Sequence, residues 1–125
     1  MTEELTLLYV EDVEEIREGM APLFEALFQE VVYAKDGLEA LERFKERRFD
    51  LVITDVVMPQ MNGVELCAAI KSLKPEQHIV VISASNEEQL MDEGLKGQVD
   101  GFILKPVIST QFTEAITRAA RAIRG

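Results

Sequence analysis

A single cysteine, Cys67, among 125 residues excludes an internal disulfide and fits a reducing compartment such as the cytoplasm. As a free thiol on a helix it is expected to act as a small core residue. The one histidine, His78, falls just before a strand, at the end of the sheet away from the chemistry read below, so neither phosphohistidine nor metal chemistry is assigned to it. No apolar run approaches the roughly 18 residues that a membrane-crossing helix needs. Met1-Thr2-Glu3-Glu4 lacks the basic start and apolar core of a signal peptide, so a cytoplasmic location is expected. Basic residues are few, 13 against 23 acidic ones, and the resulting formal charge of −10 argues against nucleic acid and membranes as direct partners. Neither G-x-G-x-x-G nor G-x-x-x-x-G-K occurs, which removes the usual nucleotide cradles. Without repeats, linkers or low-complexity tracts, residues 1–125 are expected to form one domain. Folding at this size buries roughly two thirds of the unfolded surface, enough to need no structural metal.

What is present is an alternation of short apolar runs with amphipathic stretches. Leu5–Val10, Val31–Ala34, Leu51–Thr54, Ile79–Ile82 and Phe102–Leu104 are too short for helices and rich in β-branched or aromatic residues, so they read as strands. Between them, Ile16, Met20, Leu23, Leu27 and Phe28 mark a helix over 14–28, with Pro22 expected to kink it. Asp36 and Glu39 have capping-box spacing ahead of a helix whose inner face would be Leu38, Leu41 and Phe44. Asn62 and Glu65 repeat that spacing before a helix buried through Leu66, Ala69, Ile70 and Leu73 and stopped by Pro75. A weaker helix is expected over Asn86–Leu95, loosened by Gly94 and Gly97. A last one begins at Ser109 or Thr110, with Phe112, Ile116, Ala119, Ala120 and Ile123 on one face. Strands separated by helices of this length are parallel, with right-handed crossovers and helices on both faces: an α/β fold.

In a parallel sheet the residues just past each strand share one edge, where open α/β sheets bind their ligands. Here these are Glu11 and Asp12, then Asp55, Ser83 and Lys105. Three converging carboxylates repel one another, and the ordinary remedy is a hard divalent cation such as Mg²⁺, bound directly by Asp12 and Asp55 and through a water by Glu11. A carboxylate can also attack a phosphoryl group to give an aspartyl phosphate, and Asp55 is the expected nucleophile. The metal and Lys105 would neutralise the charge on the transferred group, and Ser83 would donate a hydrogen bond to it. Arg118, Arg121 and Arg124 are read as complementing the negative end of their helix.

Glu11-Asp12, the segment Asp55-Val-Val-Met-Pro-Gln-Met-Asn-Gly63, Ser83-Ala84, and Lys105-Pro106 with Phe102 three residues before the lysine make the chain resemble a receiver domain of two-component response regulators over residues 5–124. That resemblance implies strand order 2-1-3-4-5 and phosphorylation of Asp55 by a phosphohistidine on a sensor histidine kinase or phosphotransfer protein. It also implies Mg²⁺ held by Glu11, Asp12, Asp55 and the backbone carbonyl of Val57, and a cis bond between Lys105 and Pro106. Ser83 and Phe102 would form a switch pair that signals through the face of the fourth helix, fifth strand and fifth helix. The output would be a downstream protein or a fused domain, with the receiver acting alone or as part of a longer protein whose linker would begin near Arg124-Gly125. Either a monomer or a phosphorylation-dependent dimer is compatible with this reading. Glu11 replaces the family's commoner Asp, and Val57 and Ser85 stand where many members carry longer polar residues. An apolar Val57 orients water poorly, which implies slow self-dephosphorylation. Two competing readings are a phosphate-independent binding module and a Mg²⁺-dependent phosphohydrolase; against the second, Val57 occupies the position of an acid-base Asp.

Overall fold

The β-branched runs form the centre of the molecule. In the computed structural model, which describes residues 4–83, 93–104 and 109–124, they build an all-parallel sheet of five strands: β1 (Thr6–Val10), β2 (Glu30–Ala34), β3 (Leu51–Asp55), β4 (His78–Ser83) and β5 (Gly101–Leu104). Their order is β2-β1-β3-β4-β5, as the resemblance implied. Helices α1 (Glu14–Leu27), α2 (Gly37–Glu46), α3 (Gly63–Leu73), α4 (Glu93–Lys96) and α5 (Ser109–Arg124) alternate with the strands. Most of the expected Asn86–Leu95 helix, with Ser85, Lys105 and Pro106, lies outside the described residues, as does the side chain of Phe112. Among the described residues no helix is long and apolar enough to cross a membrane.

Side chains alternate across a strand, so each central strand feeds two cores. Leu8, Val10, Val52 and Val81 pack with Phe44, Leu66 and Ile70 on one face. Leu7, Tyr9, Ile53 and Val80 pack with Phe24 and Ile116 on the other. Cys67 belongs to the first core with no exposed surface, and burial pushes its thiol up to about 12. An unfolded thiol ionises near 8.5, so the unfolded state sheds a proton that the folded state keeps; this group's contribution to stability is full below about pH 8.5 and declines towards about pH 12. The folded protein is expected to leave a disulfide reagent such as DTNB unreacted at pH 8, and the urea-unfolded chain to react with one equivalent. Full reaction of the folded chain would contradict the burial.

Several expected inner positions face solvent instead. On α1, Ile16 and Leu23 are exposed while Phe24 has no exposed surface. Pro22 does not interrupt α1. Both Pro22 and Glu18, the residue whose carbonyl loses its intrahelical donor, are exposed, so water can take up that carbonyl. Leu38 and Leu73 are also exposed, and Ala69 only half-buried. The inner face of α2 is Gly37, Ala40 and Phe44. Asp36 caps α2 by accepting from the Glu39 amide at 2.8 Å, but the Glu39 carboxylate takes the amide of Lys35, so that box is not reciprocal. The Asn62–Glu65 box is complete. At the amino ends of β4 and β5, Asp100 accepts from the Ile79 amide at 2.8 Å and lies 3.0 Å from His78 Nδ1, so His78 is part of a structural clip.

Candidate functional site

Asp55 is the last residue of β3, one position further into the ladder than the sequence suggests, and it pairs with Ile82. Its carbonyl accepts the Thr54 hydroxyl at 2.9 Å. The following loop is pinned by Val56 and Met58, both buried, and by a 2.7 Å bond from the Gly63 amide to the Val56 carbonyl. Gln60 adopts φ 68°, a left-handed conformation uncommon outside glycine, and the next carbonyl, that of Met61, accepts the Gly37 amide at 3.1 Å. This turn brings α3 back against the end of β3, and two glycines make the approach possible. A Cβ on Gly63 would collide with the Asp55 carbonyl and lie 2.9 Å from Val56 Cα; one on Gly37 would collide with Met61.

On the neighbouring strand, the Glu11 amide continues the ladder by donating to the Ala34 carbonyl at 3.1 Å. Its carboxylate accepts from the Val13 amide at 3.1 Å, and its carbonyl accepts Arg17 Nη1 at 2.8 Å. Val13 is the N-cap of α1 and has no capping side chain; Glu11 instead accepts the N-cap's own amide, the donor that a Glu at the third helical position takes in a capping box and that Ile16 there cannot. Sequence reasoning missed this second role; an apolar residue at a helix start, two positions after an acid, is the signal for it.

Glu11, Asp12 and Asp55 each place a carboxylate oxygen within 4.8 Å of the others, with Glu11 and Asp55 buried and Asp12 half-buried. Octahedral Mg²⁺ with ligands at about 2.1 Å separates adjacent ligand oxygens by about 3 Å and opposite ones by about 4.2 Å. The cluster is therefore close to the spacing of a shared cation, and its all-oxygen chemistry suits Mg²⁺. The negative field also reaches Tyr9: burial pushes its phenol upward, and the charges of Glu11 and Asp55 push it further.

Ser83 ends β4 beside Asp55, fully buried, and its Oγ has no hydrogen-bond partner among the described residues. An orphaned hydroxyl at this depth costs about 1–3 kcal/mol, which a ligand oxygen at the site would recover. Val57 lies in the adjacent loop with 55% of its surface exposed. Phe102, on β5, is half-buried against the first core, to which Leu95 and Val99 also contribute. The structure thus brings Glu11, Asp12 and Asp55 together, with Ser83 on the next strand. Phe102 is part of the α2–α3 side of the sheet.

The family model for the response regulator receiver domain matches residues 7–117. The chemotaxis protein CheY of Halobacterium salinarum is 33% identical over 111 residues, which cover 89% of this chain and 92% of that protein. A response regulatory protein of Staphylococcus epidermidis is 38% identical over 108 residues, 84% of this chain but 42% of that longer protein. Among solved structures, the response regulator TrrA of Thermotoga maritima in complex with Mg²⁺ and BeF superposes with a TM-score of 0.80 at 26% identity, covering 93% of this chain and 99% of that one.

Proposed function

Because this chain belongs to the response regulator receiver family, we propose that it is a phosphorylation-controlled switch whose phosphoacceptor is Asp55. The observation that carries this reading is the group of Glu11, Asp12 and Asp55 oxygens within 4.8 Å at the carboxyl edge of the sheet. The donor is a phosphohistidine on a sensor kinase or phosphotransfer protein. An Asp55 carboxylate oxygen forms the new P–O bond as the P–N bond breaks, and the departing imidazole keeps the electron pair and takes up a proton. Bound Mg²⁺ supplies positive charge against the phosphoryl oxygens. Glu11, Asp12, Asp55 and the Val57 carbonyl are the residues that would hold it. Ser83 Oγ donates to one phosphoryl oxygen, and Lys105 neutralises the charge from the following strand end. BeF is a chemical stand-in for a phosphoryl group, so the TrrA complex supports both the metal and the modification.

Phosphorylation changes partner affinity only by the free energy with which it favours one of two conformations. Phe102, which packs against the same core as Leu95 and Val99, is the element that carries the change from Ser83 to the face of α4, β5 and α5. The exposed Val57 side chain offers attacking water no polar partner, which keeps self-dephosphorylation slow. The output is a separate protein or a fused domain.

The test is intact mass after incubation with acetyl phosphate, on the native chain and on Asp55→Asn, with and without Mg²⁺. A gain of about 80 Da that needs Mg²⁺ and disappears in the variant is expected, and the adduct should survive desalting. No gain by the native chain under conditions where Mg²⁺ is bound would make this a phosphate-independent binding module; steady release of phosphate would make it a phosphohydrolase.

A further inference from the structure

Where α2 and α3 end, four of the chain's 13 lysines and arginines gather around one cleft of about 430 Å³, in a molecule of formal charge −10. Phe44 and Leu73 form its apolar wall, and Lys45, Arg47, Arg48 and Lys74 surround them. The volume suits a small ligand or a few residues of a peptide. This cleft precedes β3 and β4, whereas the carboxylate cluster follows β3, so a five-residue strand of about 16 Å separates the two.

Cations at helix C-termini ordinarily answer the helix dipole and its unpaired carbonyls. Lys71, in the last turn of α3, is occupied: its Nζ donates to the carbonyls of Pro75 at 3.1 Å and Gln77 at 2.6 Å in the loop that follows the helix. Arg47 is occupied too, donating to Glu30 at 2.7 and 2.9 Å with its guanidinium 5.2 Å from the centre of the Phe49 ring. Glu46, the acid in the lining, is paired with Arg43 at 3.4 Å. Lys45, Arg48 and Lys74 have no ion-pair or side-chain hydrogen-bond partner among the described residues. Leu73, with 56% of its surface exposed, is apolar area without cover. Gln77 lines the same cleft and is 2% exposed; its Nε2 donates to the His78 carbonyl at 3.1 Å, which fixes the amide's orientation and leaves Oε1 without a donor among the described residues.

We propose that this cleft docks a short acidic, leucine-bearing segment of a partner protein. Its carboxylates lie against Lys45, Arg48 and Lys74, and its apolar side chain covers Leu73 and Phe44. Inorganic phosphate would satisfy the cations but offer nothing to Leu73. An anionic membrane is a poorer match, because an extended surface meets the acidic flanks of the molecule as well as the cleft. A peptide held within a Debye length of about 8 Å experiences mainly the nearby cations. Since the carboxyl edge of the sheet stays clear, the segment binds whether or not Asp55 is modified.

The test is ¹⁵N chemical-shift mapping on the whole chain with a synthetic Asp/Glu-rich peptide containing leucines. Inorganic phosphate and phosphatidylserine vesicles serve as parallel probes. Saturable shifts are expected at residues 44–48 and 73–77 and not around Asp55. Affinity should fall about tenfold in the Arg48→Gln/Lys74→Gln double variant, and several-fold in Leu73→Ser, with urea midpoints confirming that both fold. Shifts confined to other residues, or an affinity that neither variant changes, would overturn the proposal. So would phosphate reproducing the shifts at equal affinity, or vesicles displacing the peptide.

Discussion

Gly63→Ala is expected to destabilise the fold by about 3 kcal/mol, a large share of the roughly 5–15 kcal/mol that holds a domain together. Helix propensity alone predicts the opposite sign, since alanine is favoured over glycine within a helix by about 1 kcal/mol. Sterics decide here because Gly63 opens α3 directly against the end of β3, and the atoms its Cβ would meet are the backbone of Asp55 and Val56. Backbone atoms have no rotamer through which to escape, so α3 or the loop after Asp55 must shift. Gly19 is the control. It lies within α1, and a methyl group added there would meet nothing within 4 Å, so Gly19→Ala should gain about 0.5–1 kcal/mol. Urea unfolding of the two variants separates the effects; a Gly63→Ala midpoint equal to the native one would show that the turn has room.

The strands were legible because β-branched runs bounded by acids, proline and glycine leave little freedom in where a strand stops; their order in the sheet came only from the resemblance to receiver domains. Helix faces were less so. On α1, Leu23 and Phe24 are adjacent, about 100° apart around the axis, and either can define an inner face. The sheet takes Phe24, whose ring packs 4.6 Å from that of Tyr9, a partner no local pattern reveals. On α2, counting large apolar residues selected Leu38 and overlooked the buried Gly37 and Ala40; at Gly37 the helix start approaches the Met61 backbone too closely for any side chain. The same distinction holds at the candidate site. Strand ends announced Glu11, Asp12, Asp55 and Ser83, since their chemistry is carried by residue type and position along the chain. The close contact of Gly63 with Asp55 and the capping of α1 by Glu11 depend on distances set only after the chain has folded.

Mg²⁺ should raise the melting temperature of the native chain, and Asp12→Asn should raise it without Mg²⁺. Both expectations follow from three carboxylates sharing a space less than 5 Å across, where each charge opposes the others in a partly desolvated setting. The start of α1 works against this, because a negative charge near a helix N-terminus gains about 0.3–1 kcal/mol. Repulsion from two neighbouring carboxylates exceeds that: one such pair near 5 Å is worth about 3 kcal/mol at an effective dielectric constant of 20, before solvent screening reduces it. A net gain of about 1 kcal/mol for Asp12→Asn is the expected balance, or roughly 4 °C in a domain of this size. Mg²⁺ at a hundredfold excess over its dissociation constant adds about 2.7 kcal/mol to the native chain, close to 10 °C, and much less to the variant, which has lost a ligand. Differential scanning calorimetry at constant ionic strength, with NaCl replacing MgCl₂ in the control, measures all four states. If Asp12→Asn melted lower than the native chain in NaCl, the helix-start interaction would outweigh the repulsion, and the acids would be structural rather than a site that a cation completes.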